Sequence, residues 1–468
     1  MGQASTATDS DKGLTRPHRI FVGLAYVNLG LMLIILFCVS YWRWGPPLIS
    51  PLPSQGLDIL ISQESHRCID CHQKEGVQPL QIDEWRRSRH AGVGIGCYEC
   101  HQALPEDKDG HKHHERFVST IVSPKDCSRC HDKEVKEFQG SRHAHGGEIL
   151  ASLDNYLGEV VEGLPAAITG CRWCHGAKID VQKDGHLSPT SWPNTGIGRI
   201  NPDGSLGSCS ACHPRHRFSS AVARRPENCG RCHLGPDHPQ FEIYQASKHG
   251  IAFTEAQGRM NLDARDWRLG TSYTAAPTCS TCHNAANVSL ESNHDVGLRI
   301  AWTLRPEVSV RLEDWQERRL RMKSTCRHCH SPGWTDSFFT QFDTVVDLYN
   351  EKFAKPAQGI MDTLYDEGKI SPTPFDDEIE WTYFLLWHHE GRRARHGASM
   401  MGPDYTQWHG FFEVAERFYM EFLPQAEALL SGSTDSVLDA DDHQWLEGAP
   451  DELRKRIESF YRERYQSP

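Results

Sequence analysis

Apolar side chains are in short supply in this chain of 468 residues: 38% are hydrophobic and 9% aromatic. A chain this long ordinarily suggests two or three domains, each with its own core, so something besides side chains must fill part of the interior. A basic surplus is also lacking. With 62 acidic against 50 basic residues the net charge is -12, which excludes a nucleic-acid surface and suits a cationic or membrane-held partner. Between residues 60 and 330 no period-two alternation marks a strand, so no sizeable sheet is expected there. Long apolar runs are missing except for one near the N-terminus. Of 17 cysteines, Cys38 alone stands outside a repeated motif.

That motif is what the sequence has in abundance. Eight copies of C-x-x-C-H occur: Cys68, Cys71 and His72; Cys97, Cys100 and His101; Cys127, Cys130 and His131; Cys171, Cys174 and His175; then Cys209, Cys212 and His213; Cys229, Cys232 and His233; Cys279, Cys282 and His283; and Cys326, Cys329 and His330. Two thiols at this spacing add across the two vinyl groups of a haem, and the histidine directly behind them ligates the iron, so the pattern reads as c-type haem attachment. Zinc ribbons are the alternative. They need paired C-x-x-C but no histidine behind each pair, and here every copy has one. Eight c-type haems spaced 20 to 50 residues apart leave no room for independent cores between them, so the haem stack is expected to be the core.

The long apolar run, Ile20 to Trp42, is uncharged and 23 residues long, enough to cross a bilayer. Lys12, Arg16 and Arg19 precede it and no small-residue cleavage site follows. A cytoplasmic tail (1–19), an uncleaved transmembrane signal anchor (20–43) and a stiff Pro-rich linker (44–59) are therefore expected. Cys38 reads as an inert thiol within the span. A single-pass protein of the cytoplasmic membrane follows, with its haem domain (60–330) in the periplasm, where such haems are attached. Residues 331–468 change character. Phe338, Phe342, Val345, Val346, Tyr349 and Phe353 share one helical face, Ile379, Tyr383 and Leu386 begin another, and Phe411, Ala415, Phe418 and Phe422 mark a third. A last helix opens at Pro450 and carries Leu453, Ile457 and Tyr461. The expected fold is mainly α with much irregular structure: a multihaem cytochrome c core, a C-terminal helical bundle and an N-terminal transmembrane helix.

The 27 histidines allow the iron ligands to be counted, because the eight in the motifs leave nineteen for the opposite faces. An electron-transfer haem takes two strong axial ligands, whereas one that does chemistry keeps a face open. His90, His143 and His249 end a shared pattern of aromatic, Ser, basic residue and His, in WRRSRH, FQGSRH and YQASKH. They are the first candidates for distal ligands. His114, His216 and His294 follow, each with an ordinary surface role as its alternative, and His145 competes with His143.

Eight motifs in this order, the block CGRCHLGPDHPQFEIYQASKHG from Cys229, NHDVGLRIAW from Asn293, and GPDYTQWHG near the C-terminus resemble the octahaem hydroxylamine oxidoreductase family, which includes hydrazine dehydrogenases and reductive homologues. The resemblance spans roughly residues 60 to 430; the membrane anchor departs from it. It implies that the fourth haem, on Cys171, Cys174 and His175, is catalytic and open on one face. It also implies that Asp237 and His238 lie over that face and collect the protons released when a small nitrogen substrate is oxidised. The alternative is that His238 is the sixth ligand of a neighbouring haem, with Asp237 orienting it. In oxidising members a tyrosine from a neighbouring subunit is bonded to the catalytic porphyrin, and Tyr405 is the candidate; an aromatic anchor at a helix entrance is its alternative, and Tyr383 and Tyr419 read as packing residues. The resemblance implies eight c-type haems, one tyrosine-modified, in a homotrimer that oxidises hydroxylamine to nitric oxide or nitrite. The electrons would pass to a cytochrome or quinone-linked acceptor at the membrane. Hydrazine oxidation, reduction of nitrite or hydroxylamine to ammonia, and a non-catalytic electron conduit remain open.

Overall fold

In C-x-x-C-H the two cysteines stand three residues apart and the histidine four after the first, which is the spacing that puts side chains on one face of a helix. Every motif takes up that turn. Cys97–His101, Cys171–His175 and Cys279–His283 are five-residue helices, and the first motif lies inside Gln63–Lys74. In the others the histidine N–H donates to the carbonyl of the first cysteine, at 2.9 Å for His131 and 3.0 Å for His213, His233 and His330. Serine and threonine start many of these short helices by accepting an N–H of the first turn: Ser62, Ser88, Ser123, Ser219, Ser247 and Thr278. The recurring Ser–basic–His pattern is now explained at two sites. Ser88 caps Arg89–Gly92 and Ser247 caps Lys248–Ala256, which puts His90 and His249 at the second helical position.

These elements come from a computed structural model that describes Met32 and residues 61–148, 156–448 and 451–465. The expected tail, anchor and linker fall outside the described residues, apart from Met32, as does Pro450. Among the described residues no helix is long and apolar enough to cross a membrane. The architecture is mainly helical with long irregular stretches. Three two-stranded ladders break it: Gly110–His113 pairs antiparallel with Arg116–Ser119, Arg268–Leu269 parallel with Ala286–Asn287, and Trp302–Thr303 antiparallel with Val310–Arg311.

The C-terminal part is built from three long helices, each continuing through π-helical turns. Pro332–Tyr349 runs through Asn350–Ala354 into Lys355–Asp366. Glu378–Phe384 runs through Leu385–Gly391 into Arg392–Ser399. The third runs from Pro403–Thr406 to Leu423–Leu429, with π turns at Gln407–Phe412 and Phe418–Phe422. One apolar cluster holds them together, with Tyr349, Phe353, Leu364, Ile379, Leu386, Val414, Phe418 and Phe422 buried and Tyr383, Phe411 and Ala415 packed on its edge. Phe342 and Val346 turn instead toward Trp302 and Leu304, so the first long helix also packs against the preceding segment. The last helix, Asp451–Tyr465, forms where expected, but Leu453, Ile457 and Tyr461 on its stripe are exposed.

Candidate haem sites and the acid–base pair beside them

Neighbouring motifs meet through their cysteines. Cys68 stands beside Cys97, and Cys100 beside Cys127. Cys127 stands beside Cys209, Cys212 beside Cys229, Cys229 beside Cys279, and Cys282 beside Cys326. The contacts string motifs one, two, three, five, six, seven and eight into a line. The fourth joins at the sixth, where Cys174 stands beside Cys232. It is a side branch, and the sequence order gives no hint of that.

Two imidazoles held on opposite sides of one metal by bonds of about 2 Å have ring centroids roughly 6 Å apart. That separation recurs. His72 and His113 are 6.1 Å apart, His131 and His90 6.1 Å, His101 and His216 6.3 Å, and His330 and His249 6.1 Å. His233 has two such neighbours, His143 at 6.0 Å and His238 at 5.9 Å. His294 lies within electrostatic reach of His213, with its backbone N–H donating to Glu137 at 3.0 Å. His145 is held away, one ring nitrogen 2.7 Å from Glu148 and the other 3.2 Å from the Gln139 carbonyl. At the first motif the facing ring belongs to His113, which closes a hairpin strand. His114 occupies the turn with a φ of 53°, and its ring lies 4.7 Å from that of His113.

The surroundings of these rings fit a haem. Burial lowers the imidazole pKa to about 4 at His143, His213 and His216 and to about 3 at His233, which keeps them in the neutral form that binds metal. His213, His233 and His283 lie deep enough to be strongly desolvated, yet each residue is only half-buried by solvent accessibility, as residues lining a slot are. Large apolar side chains close to the motifs, Trp173, Leu234 and Val288, are likewise exposed; they provide the apolar walls that a porphyrin requires.

Asp237 and His238 follow the sixth motif but lie within electrostatic reach of Cys174 of the fourth. An Asp237 carboxylate oxygen accepts from His238 Nδ1 at 2.5 Å, and the other accepts from Arg392 Nη1 at 3.4 Å. Burial acts to raise the Asp237 carboxyl, but the His238 hydrogen bond and the nearby His238, His388 and Arg392 outweigh it and hold the group well below the usual carboxylate range. With Nδ1 bound to a carboxylate, His238 presents Nε2 as its acceptor. Arg392 also reaches His388 Nε2 at 2.8 Å, and half-buried His396 lies 3.4 Å from Gln240. Reading the sequence missed Arg392, His388, His389 and His396; the run HHEGRRARH was the signal.

Tyr405 lies in the helical turn Pro403–Thr406 rather than in a loop before the helix. Gly397 lets this turn approach, since a Cβ there would stand 2.7 Å from the Tyr405 carbonyl carbon. Its half-buried ring is 5.7 Å from His409, and burial raises its phenol pKa, aided by Glu242 and Asp404. Tyr419 is buried and hydrogen-bonded to His443 at 2.8 Å, and Tyr383 packs on the core.

Residues 203–374 match the family described as "Seven times multi-haem cytochrome CxxCH", and residues 126–198 match "Cytochrome c554 and c-prime". The chain is similar to a probable nitrite reductase-hydroxylamine oxidoreductase fusion protein of Kuenenia stuttgartiensis, 25% identical over 72% of this chain. It spans less than half of that relative, 42%. A solved "hypothetical multiheme protein" superposes with a TM-score of 0.71 at 23% identity, covering 82% of this chain and 98% of the other. The Kuenenia stuttgartiensis reducing HAO-like complex Kustc0457/Kustc0458 superposes at 0.60 with 18% identity, covering 85% and 92%. Fold, motifs and relatives together make this chain a mainly helical multihaem c-type cytochrome with a redox function, similar to proteins of the hydroxylamine oxidoreductase type.

Proposed function

We propose that the chain is an octahaem oxidoreductase that oxidises hydroxylamine to nitric oxide or nitrite at the Cys171, Cys174 and His175 site. The observation that carries this reading is the Asp237–His238 pair set beside Cys174, on a motif that branches from the line formed by the other seven. Bound c-type haems supply the redox chemistry there, one where substrate gives up electrons and seven as relays. The protein's own residues manage the protons. Oxidation acidifies the N–H and O–H bonds of hydroxylamine, and His238 Nε2 takes the proton while the ionised Asp237 supports the cation that forms. Arg392 fixes Asp237 from the other side. His113, His216, His90, His143 and His249, whose rings face motif histidines, would help hold haems one, two, three, six and eight, and His294 would do so for the fifth.

Reduction of nitrite or hydroxylamine on the same scaffold is the second reading, favoured by the likeness to a complex described as reducing. Tyr405 separates the two, because a covalent tyrosine link to the porphyrin goes with oxidation in the family that the sequence resembles. The proposal extends to a homotrimer anchored by residues 20–43 in the cytoplasmic membrane, delivering electrons to a cytochrome or quinone-linked acceptor. A steady-state assay of the holoprotein tests the direction, with hydroxylamine and an artificial acceptor, then nitrite and a low-potential donor. Faster oxidation with a Tyr405–haem peptide in the mass spectrum supports the first reading; reduction alone, with no such peptide, replaces it with the second.

A further inference from the structure

Protons collected by His238 must leave a buried site, and the Leu385–Gly391 π turn offers a way out. Arg392 Nη1, which keeps its proton, pins Asp237 at 3.4 Å and His388 Nε2 at 2.8 Å, and this holds His388 and His389 within electrostatic reach of Asp237. The His388 and His389 ring centroids are 5.4 Å apart, so the two imidazoles are neighbours on this turn. His389 and Glu390 then line a polar cavity of about 390 Å³. Its rim carries the exposed Glu416 and Glu421, and its inner end is Glu390, 3% exposed.

Glu390 is poorly explained as a structural ion pair. One oxygen accepts from Arg417 Nε at 2.7 Å, but Oε2 is buried without a partner, as is Nε of Arg393 three residues further along the same helix. Leaving a buried carboxylate oxygen unpaired is destabilising, whereas a carboxyl that exchanges protons with a polar cavity needs that oxygen open. We propose that Glu390 and His389, placed on one π turn between the Asp237–His238 pair and this cavity, carry the protons of catalysis between that pair and solvent. The proposal rests on the proton role assigned above to Asp237 and His238. Only protons move: an imidazolium or carboxylic acid releases one as the next group accepts it, with no change in electron count.

The charges facing Glu390 suit the task. Burial raises its carboxyl to about 7, against the lowering influence of Arg417 and Arg393 and with the help of Glu413. The Arg393 guanidinium is itself tied to Glu413. Burial lowers His389 to about 4, so it passes protons as a neutral ring, accepting on one nitrogen and releasing from the other.

The test uses the full holoprotein with Glu390→Gln, which keeps the bond to Arg417, and an unchanged haem count as the folding control. The expected result is kcat lowered roughly tenfold with KM unchanged, a larger solvent isotope effect, and recovery in Glu390→Asp or with small carboxylic acids in the buffer. Infrared difference spectra should show a protonated carboxyl titrating near neutral pH that is missing from the variant. If haem content falls, His389→Gln is read in the same way. A wild-type pH profile in Glu390→Gln beside a slow Asp237→Asn overturns the relay alone, as does retention of the infrared band. Wild-type turnover in Asp237→Asn overturns the acid–base reading itself.

Discussion

Asp237→Asn is the substitution whose effect the structure specifies most closely. Asp237 accepts from two donors, His238 Nδ1 at 2.5 Å and Arg392 Nη1 at 3.4 Å. Asparagine has one acceptor oxygen and one NH2 group. Arg392 cannot give up its proton, so it claims the oxygen, and the NH2 group is left facing Nδ1. The His238 proton is then forced onto Nε2, the nitrogen that must be vacant to accept from substrate. Geometry survives while the base is switched off. Removing general base catalysis costs about 100-fold or more, which at about 1.36 kcal/mol per decade is about 2.7 kcal/mol of transition-state stabilisation. The assay is hydroxylamine turnover of the holoprotein with an artificial acceptor, with haem count and visible spectra as controls. A loss under about threefold, with spectra intact, would refute the reasoning. His238→Ala is the companion: a new high-spin haem in that variant would put His238 on iron opposite His233, in the place assigned here to His143.

Three further outcomes follow. His113→Ala should turn one haem high-spin and His114→Ala none, read by electron paramagnetic resonance; the reverse result would move the first haem's ligand into the hairpin turn. Phe418, fully buried and edge-on to Phe353 at 5.4 Å, should cost about 3–5 kcal/mol when cut to alanine, and an unchanged denaturant midpoint would remove it from the core. Because the Glu390 carboxyl is raised from 4.5 to about 7, the folded chain holds more protons than the unfolded one between those values. Its contribution to stability is therefore full below about pH 4.5 and lost as pH rises through about 7. Unfolding curves of wild type and Glu390→Gln across that window check this, and parallel curves would contradict it.

What was legible in the sequence was local. C-x-x-C-H encodes its own helical turn, and Ser–basic–His encodes a capped helix start at Ser88 and Ser247, so the helical positions of His90 and His249 follow from spacing alone. His113 could not. Its choice over His114 depends on which residue of a hairpin takes the left-handed turn conformation, and GHKHHERFVS shows no alternation from which to read that. The side-branch position of the fourth motif depends on Cys174 meeting the sixth motif at Arg231, 57 residues away, and no local pattern records it. The C-terminal stripes at Tyr349, Phe353, Phe418 and Phe422 were visible because helical periodicity survives the π turns. The polar run from His388 to His396 was passed over because those residues gain meaning only when the helix lies against Asp237.

The account stands on one site doing chemistry while the remaining haems carry electrons. Electron paramagnetic resonance of the fully matured, oxidised protein tests this directly, before and after hydroxylamine is added. The account predicts low-spin signals from haems ligated on both faces and one high-spin or otherwise open haem that alone changes with substrate. A spectrum in which every haem is low-spin and none responds to hydroxylamine or nitrite would contradict it and leave an electron conduit.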